Sequence, residues 1–147
     1  MPGYFKNDKA TSETIIDNWL HSGDIGYYDE DGLVFLVDRK KELIKVKGLQ
    51  VAPAELEDLI RGMEGVRDVA VIGIPDARAG EVPRAYVVRE AETVTEAGVR
   101  GHVEAGLSRH KHLAGGVEFL PEIPKSAAGK ILRKDLKAAY LAKTSSQ

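Results

Sequence analysis

Four short segments carry side chains or backbone whose types and spacing could serve chemistry. In His21-Ser22-Gly23-Asp24-Ile25-Gly26, glycines flank a carboxylate. Such a backbone can bend closely round a ligand, and Asp24 could accept two hydrogen bonds from vicinal hydroxyls such as those of a ribose. An Asx-type turn ahead of a strand is the plainer alternative. In Asp38-Arg39-Lys40-Lys41-Glu42-Leu43-Ile44-Lys45-Val46-Lys47-Gly48, an extended chain would put Lys45 and Lys47 on one face. Two lysines just before a glycine form a cationic edge for an anionic ligand, or an edge strand protected against aggregation. Pro124-Lys125-Ser126-Ala127-Ala128-Gly129-Lys130-Ile131 superficially resembles a phosphate-binding loop. It fails that test: Pro124 replaces the first glycine, Ile131 replaces the Ser or Thr, and no strand leads directly into it. Its small residues read as a mobile loop with Lys130 delivered at the far end. The alternative, a basic helix N-terminus, sets a lysine against the helix dipole. Gly115-Gly116 reads as a turn.

The rest of the chain limits what these segments can do. It has 147 residues, 43% hydrophobic and 30% charged, which suits one ordinary domain or a small domain with a piece of a neighbour. No apolar run approaches the ~18 residues of a membrane span, and no apolar signal core follows Met1. The absence of cysteine excludes disulfides, thiolate nucleophiles and Cys-ligated metal sites. The four histidines, His21, His102, His110 and His112, are scattered without metal-pair spacing. Thr144-Ser145-Ser146-Gln147 is no peroxisomal or endoplasmic-reticulum address, so a soluble, cytoplasmic protein is the expectation. The net charge of −2 argues against generic nucleic-acid binding but conceals an asymmetry. Residues 1–37 hold two lysines against seven carboxylates, whereas basic clusters recur around 39–47 and 125–143. Clustered cations on a balanced domain suit a local phosphate or carboxylate.

The elements that must position these groups follow from pattern. Ser12 is placed to cap a short helix containing Ile15, Ile16 and Trp19. Asp29-Glu30-Asp31-Gly32 is a turn, and Leu33–Val37 a strand. The charged run 38–42 marks the best boundary and a hinge, because solvated side chains tie it to neither core. Residues 1–37 lack enough apolar side chains for their own core and resemble the cut end of something larger. Beyond it, Pro53 opens a helix with the stripe Leu56, Leu59, Ile60 and Met63, closed by Gly65. Val69–Ile74, ended by Pro75-Asp76, and Ala85–Val88 read as strands. Thr95 caps a helix with the stripe Val99, His102, Val103 and Leu107. Val117, Phe119 and Leu120 suggest a third strand. A last helix over 133–142 turns Leu136, Ala139 and Tyr140 inward and leaves a frayed tail after Lys143. Helices and strands mixed over about 110 residues make an α+β unit.

Taken together, Gly3-Tyr4-Phe5 with Ala10-Thr11, Trp19 to Gly26, Val37 to Gly48, Gln50 to Glu57, and Pro124-Lys125 with Gly129-Lys130 resemble the C-terminal part of an adenylate-forming enzyme. The likeness is greatest to acyl-CoA synthetases of the 4-coumarate–CoA ligase type, with beetle luciferase nearby. It implies a large N-terminal domain ending at 1–37, a hinge at 38–42 and a mobile C-terminal domain at 43–147. It implies a two-step reaction in which a carboxylic acid and ATP give acyl-AMP and pyrophosphate, after which CoA displaces AMP. The acid is of an aryl, cinnamate or fatty type; Mg2+ accompanies ATP without being held by this chain. By the same resemblance, Asp24 and Arg39 hold the ribose hydroxyls and Lys41 occupies the hinge position. Lys40 departs from the apolar residue common there. Lys45 lies near the adenylate in the thioester-forming pose, with Lys47 and Gly48 lining the pantetheine channel and Gln50 close by. Lys130 bridges the substrate carboxylate and the nucleotide during adenylation. No ATP-phosphate loop and no acid pocket are visible, so the chain alone is expected to be inactive. A stand-alone CoA- or nucleotide-binding module, and a domain completing a site in trans, remain as alternatives.

Overall fold

A computed structural model describes residues 1–145 and divides the chain into two compact units, Met1–Lys41 and a second beginning at Glu42. In the first unit, α1 (Asp8–Thr14) is capped by Asn7, whose side chain accepts from the Ala10 N–H at 3.0 Å. The expected Ser12 cap is therefore wrong: Ser12 lies inside α1 and its hydroxyl donates back to the Lys9 carbonyl. Nor do Ile15, Ile16 and Trp19 extend the helix. Ile15–Ile16 (β1) pairs antiparallel with Trp19–Leu20 (β2) across Asp17-Asn18, both at positive φ. That two-residue turn, preceded by β-branched residues, favours a hairpin over another helical turn. β3 (Asp24–Tyr28) then pairs with β4 (Val34–Arg39) around an Asx-bonded turn at Asp29. Among the described residues of this unit no hydrophobic side chain is buried, and Phe5, Trp19, Tyr28, Val34 and Leu36 are exposed.

The second unit holds the core. Its sheet runs β6 (Leu49–Val51), β5 (Ile44–Val46), β8 (Gly80–Arg89), β7 (Val66–Asp76), with β9 (Val117–Phe119) parallel to the far half of β8. α2 (Pro53–Arg61) and α4 (Arg133–Ser145) lie along β7, while α3 (Glu96–Gly106) packs near α2 and β9. Thr95 caps α3 by accepting from the Gly98 N–H. Leu56, Ile60, Val69, Val71, Val87, Val99 and Val103 are fully buried. Burial of each such side chain stabilises the unit by about 1.5–3 kcal/mol. β7 continues through Pro75 and Asp76, which pair with Glu81 and Gly80, so Pro75-Asp76 does not end it. Pro75 is tolerated because β7 is an edge strand, where a missing N–H costs no ladder bond. Gly62, not Gly65, ends α2, and Ala139 is exposed on α4 instead of inward. α4 runs on through Thr144 and Ser145 without fraying. The rest of the expected frayed tail lies outside the described residues.

The free edge of β7 is closed at Val71 by two side chains. Glu57 of α2 accepts the Val71 N–H at 2.8 Å, and Arg133 of α4 donates through Nε to the Val71 carbonyl at 3.2 Å. The two meet through Arg133 Nη2, which donates to both Glu57 oxygens at 2.7 and 2.8 Å. Covering an edge in this way satisfies its backbone and denies it to another chain.

Candidate functional site

Asp24 and Arg39 meet because the β3–β4 register sets them directly opposite each other. Arg39 Nε lies 2.7 Å from Asp24 Oδ1, and the Lys40 N–H donates to the Gly23 carbonyl, holding this end of the hairpin closed. Both side chains remain accessible, so the pair presents an acceptor and a donor fork side by side, a fit to two neighbouring hydroxyls. Asp38 and Arg39 belong to β4, with Asp38 opposite Ile25; the turn proper is Lys40, Lys41 and Glu42. Lys41 is exposed in that turn.

In the second unit, Ile44 and Val46 of β5 point into the core and Lys45 points out. Lys47 does not continue on the face of Lys45, as the alternation suggests. With Val46 opposite Leu49, Lys47 and Gly48 are the two residues of a tight hairpin turn, at φ of 51° and 80°. Two successive positive φ values are the geometry of a type I′ turn, whose twist matches the flanking strands. The turn is tied to the β7–β8 turn by the Lys47 N–H, which donates to the Ala79 carbonyl at 2.8 Å. Beside it, bonds from the Ala79 amide and then the Arg78 amide hold the Asp76 carboxyl below its ordinary value. Lys45, Lys47, Gly48 and Gln50 are all exposed, and nothing lies within 4 Å of a Cβ built at Gly48. This hairpin thus offers an open corner with two cations.

Lys130 occupies a different place. The expected loose arm is a closed hairpin: Lys125 pairs with Ile131, the Ser126 N–H donates to the Lys130 carbonyl and the Gly129 N–H to the Ser126 carbonyl, both at 2.8 Å. Small residues here let the chain fold back on itself instead of leaving it open. The hairpin is moored by Lys125 Nζ, 2.5 Å from Asp68 Oδ2 on β7, and Lys130 itself stays exposed. No ion pair among the described residues engages the side chain of Lys45, Lys47 or Lys130.

The sheet keeps these two cationic groups apart. Lys47 bonds to the turn after Asp76, whereas the Lys130 hairpin is moored to Asp68. Eight residues of strand separate those anchors, ~26 Å at the usual rise. Three positions went unrecognised as a set from sequence alone. Glu57 is buried, Arg133 clamps it, and Glu81 links the Lys45 amide to Lys137. One signal was available: Pro53, Leu56 and Ile60 place Glu57 on the inward face of α2, where a lone carboxylate requires a cation. Among the described residues no cluster of His, Cys, Asp and Glu could hold a metal, and no helix is long and apolar enough to cross a membrane.

Residues 55–130 match the model of the AMP-binding enzyme C-terminal domain. The chain is 51% identical over 139 residues to the probable 4-coumarate–CoA ligase 1 of Dictyostelium discoideum, a match covering 93% of this chain and 25% of that protein. It is 51% identical over 133 residues to the luciferin 4-monooxygenase of Luciola mingrelica, covering 89% of this chain and 24% of that one. The crystal structure of ATP-bound MatB from Rhodopseudomonas palustris aligns with a TM-score of 0.87 at 34% identity, over 94% of this chain and 28% of that one. The chain therefore spans about a quarter of the length of the curated relatives it matches. Its small mixed helix–sheet unit and its similarity along most of the chain identify it as a member of the AMP-binding, adenylate-forming enzyme family, matching that family's C-terminal domain.

Proposed function

We propose that this chain is the C-terminal portion of an ATP-dependent carboxylate–CoA ligase whose second unit turns between two working poses. In the first step a carboxylate oxygen attacks the α-phosphorus of ATP and pyrophosphate leaves. In the second, the CoA thiol attacks the acyl carbonyl and AMP leaves. The first step gathers the charge of a carboxylate and a triphosphate, so it needs cations in place as charge shifts. Lys130 serves there, bridging carboxylate and nucleotide. Lys45, Lys47, Gly48 and Gln50 serve the second step, with Lys45 near the adenylate and the open turn beside the thiol's path. Asp24 and Arg39 hold the ribose hydroxyls throughout, and the turn around Lys41 is the hinge.

One observation supports this reading: two exposed cationic groups are moored toward opposite ends of β7. A body that turns over presents groups moored at separate places on it to one reacting carbonyl in turn. The substrate is a carboxylic acid of aryl, cinnamate or fatty type, in line with the 4-coumarate–CoA ligase relative. The luciferin 4-monooxygenase relative favours a second reading, in which oxygen instead of a thiol consumes the adenylate. Thioester yield against oxygen uptake separates the two.

The test is made in the full-length enzyme carrying this chain. Lys130→Ala is expected to slow ATP–pyrophosphate exchange by roughly 10²–10³, the scale for losing a charged transition-state contact, and to spare thioester formation from supplied acyl-adenylate. Lys45→Ala is expected to do the reverse. Parallel loss of both half-reactions in either variant refutes the division of labour. The 147-residue chain alone, given acid, ATP and CoA, is expected to make no acyl-CoA.

A further inference from the structure

The β5–β6 hairpin is joined to the body of the sheet by little backbone. β5 pairs with β8 at one register position, Val46 opposite Gly80, supplemented by the bond from the Lys47 N–H to the Ala79 carbonyl. In an antiparallel hairpin closing at Val46 and Leu49, the amides of Ile44 and Val46 turn toward β6, so that of Lys45 turns away, toward β8. What meets it there is a side chain. The Lys45 N–H donates to Glu81 Oε2 at 3.2 Å, and Lys137 Nζ of α4 donates to Glu81 Oε1 at 2.9 Å. The room for this carboxylate comes from Gly73 on the neighbouring strand. A Cβ there would stand 3.2 Å from the carboxyl carbon and 3.0 Å from Ile44 Cγ2. Burial opposes ionisation of Glu81, but the bonds from Lys137 and the Lys45 amide outweigh it and hold the carboxyl below its ordinary range.

We propose that Glu81, braced by Lys137, is the positioning residue of the thioester-forming edge: its carboxylate fixes the backbone of Lys45 in place of a missing ladder bond. The proposal rests on the reading above that Lys45 to Gly48 serve the thiol step. It predicts an effect confined to that step, because the Lys130 hairpin is moored separately, at Asp68 and through Arg133 and Glu57.

Two measurements test it. In the 147-residue chain, hydrogen exchange at the Lys45 amide is read by NMR for Glu81→Ala, Glu81→Gln and Lys137→Met. Glu81→Ala is expected to speed that exchange about tenfold, the scale of a hydrogen bond to a charged acceptor, with core amides such as Val87 unchanged. Glu81→Gln keeps an acceptor oxygen and should retain most of the protection, with Lys137→Met intermediate. Unchanged exchange at Lys45, or a parallel rise at Val87, overturns the proposal. In the full-length enzyme, Glu81→Ala is expected to lower kcat for thioester formation roughly fivefold to tenfold and to leave ATP–pyrophosphate exchange as in the wild type. If Lys45→Ala impairs the thioester step and Glu81→Ala does not, this inference falls alone. If Lys45→Ala itself has no effect there, the functional reading falls and takes this inference with it.

Discussion

Replacing Arg133 with methionine removes one half of the clamp on β7 and leaves the other buried. The Glu57 side chain is 6% exposed, and both its oxygens accept from Arg133. Without the guanidinium, the carboxylate keeps the Val71 N–H, but the Val71 carbonyl loses its donor. Stranding one charge of a buried pair costs about 3–5 kcal/mol, far more than the pair's own net contribution. For a unit of about 100 residues, each kcal/mol shifts Tm by ~4–8 °C, so a fall of ~12 °C or more is expected. Glu57→Gln in the same background removes the stranded charge while keeping an acceptor for the Val71 N–H. The double variant should therefore recover about 1–3 kcal/mol relative to Arg133→Met, a coupling of the size seen between residues in contact. Urea unfolding of the chain, followed by far-UV circular dichroism for both singles and the double, measures this directly. A cost below about 1 kcal/mol for Arg133→Met, or losses that simply add, would refute the clamp.

Two further outcomes concern the turn and the carboxylates. Gly48→Ala meets no atom within 4 Å, so its cost is that of holding an L-residue at a φ of 80°, about 1–2 kcal/mol by urea unfolding; a neutral result would contradict the type I′ turn. Acid should weaken the fold through carboxyls held below their ordinary values. Burial opposes this at Glu118, but Lys143 and Arg84 outweigh it; at Asp76 the Ala79 and Arg78 amides lower it. The unfolded chain binds these protons first, so stability holds above the ordinary carboxylate range and drains away as pH falls through the depressed values. Melting temperatures between pH 7 and 3 should drop below about pH 4.5, less steeply in Glu118→Gln; a flat profile would refute this.

Local rules carried most of the elements. Pro53 and the apolar spacing after it fixed α2, Thr95 capped α3, and the β-rich run from Val69 placed β7. These features depend on residues within a few positions of one another. The misreadings had the same local origin. Ser12 was as good a cap by type as Asn7, and β-branched Ile15 and Ile16 decided for a hairpin. Alternation placed Lys47 beside Lys45, but a two-residue turn with Gly48 took it off the strand.

The motifs that mark this chain as an adenylate-forming C-terminal region are contiguous, so residue order sufficed to recognise them. Distances between motifs were another matter. That Glu57 meets Arg133 across 76 positions, that Glu81 reaches the Lys45 amide across 36, and that the two lysine hairpins are moored toward opposite ends of β7 are products of packing. Helical and strand periods say which way a side chain faces, whereas the neighbour it finds is set by how sheet and helices close over a shared core.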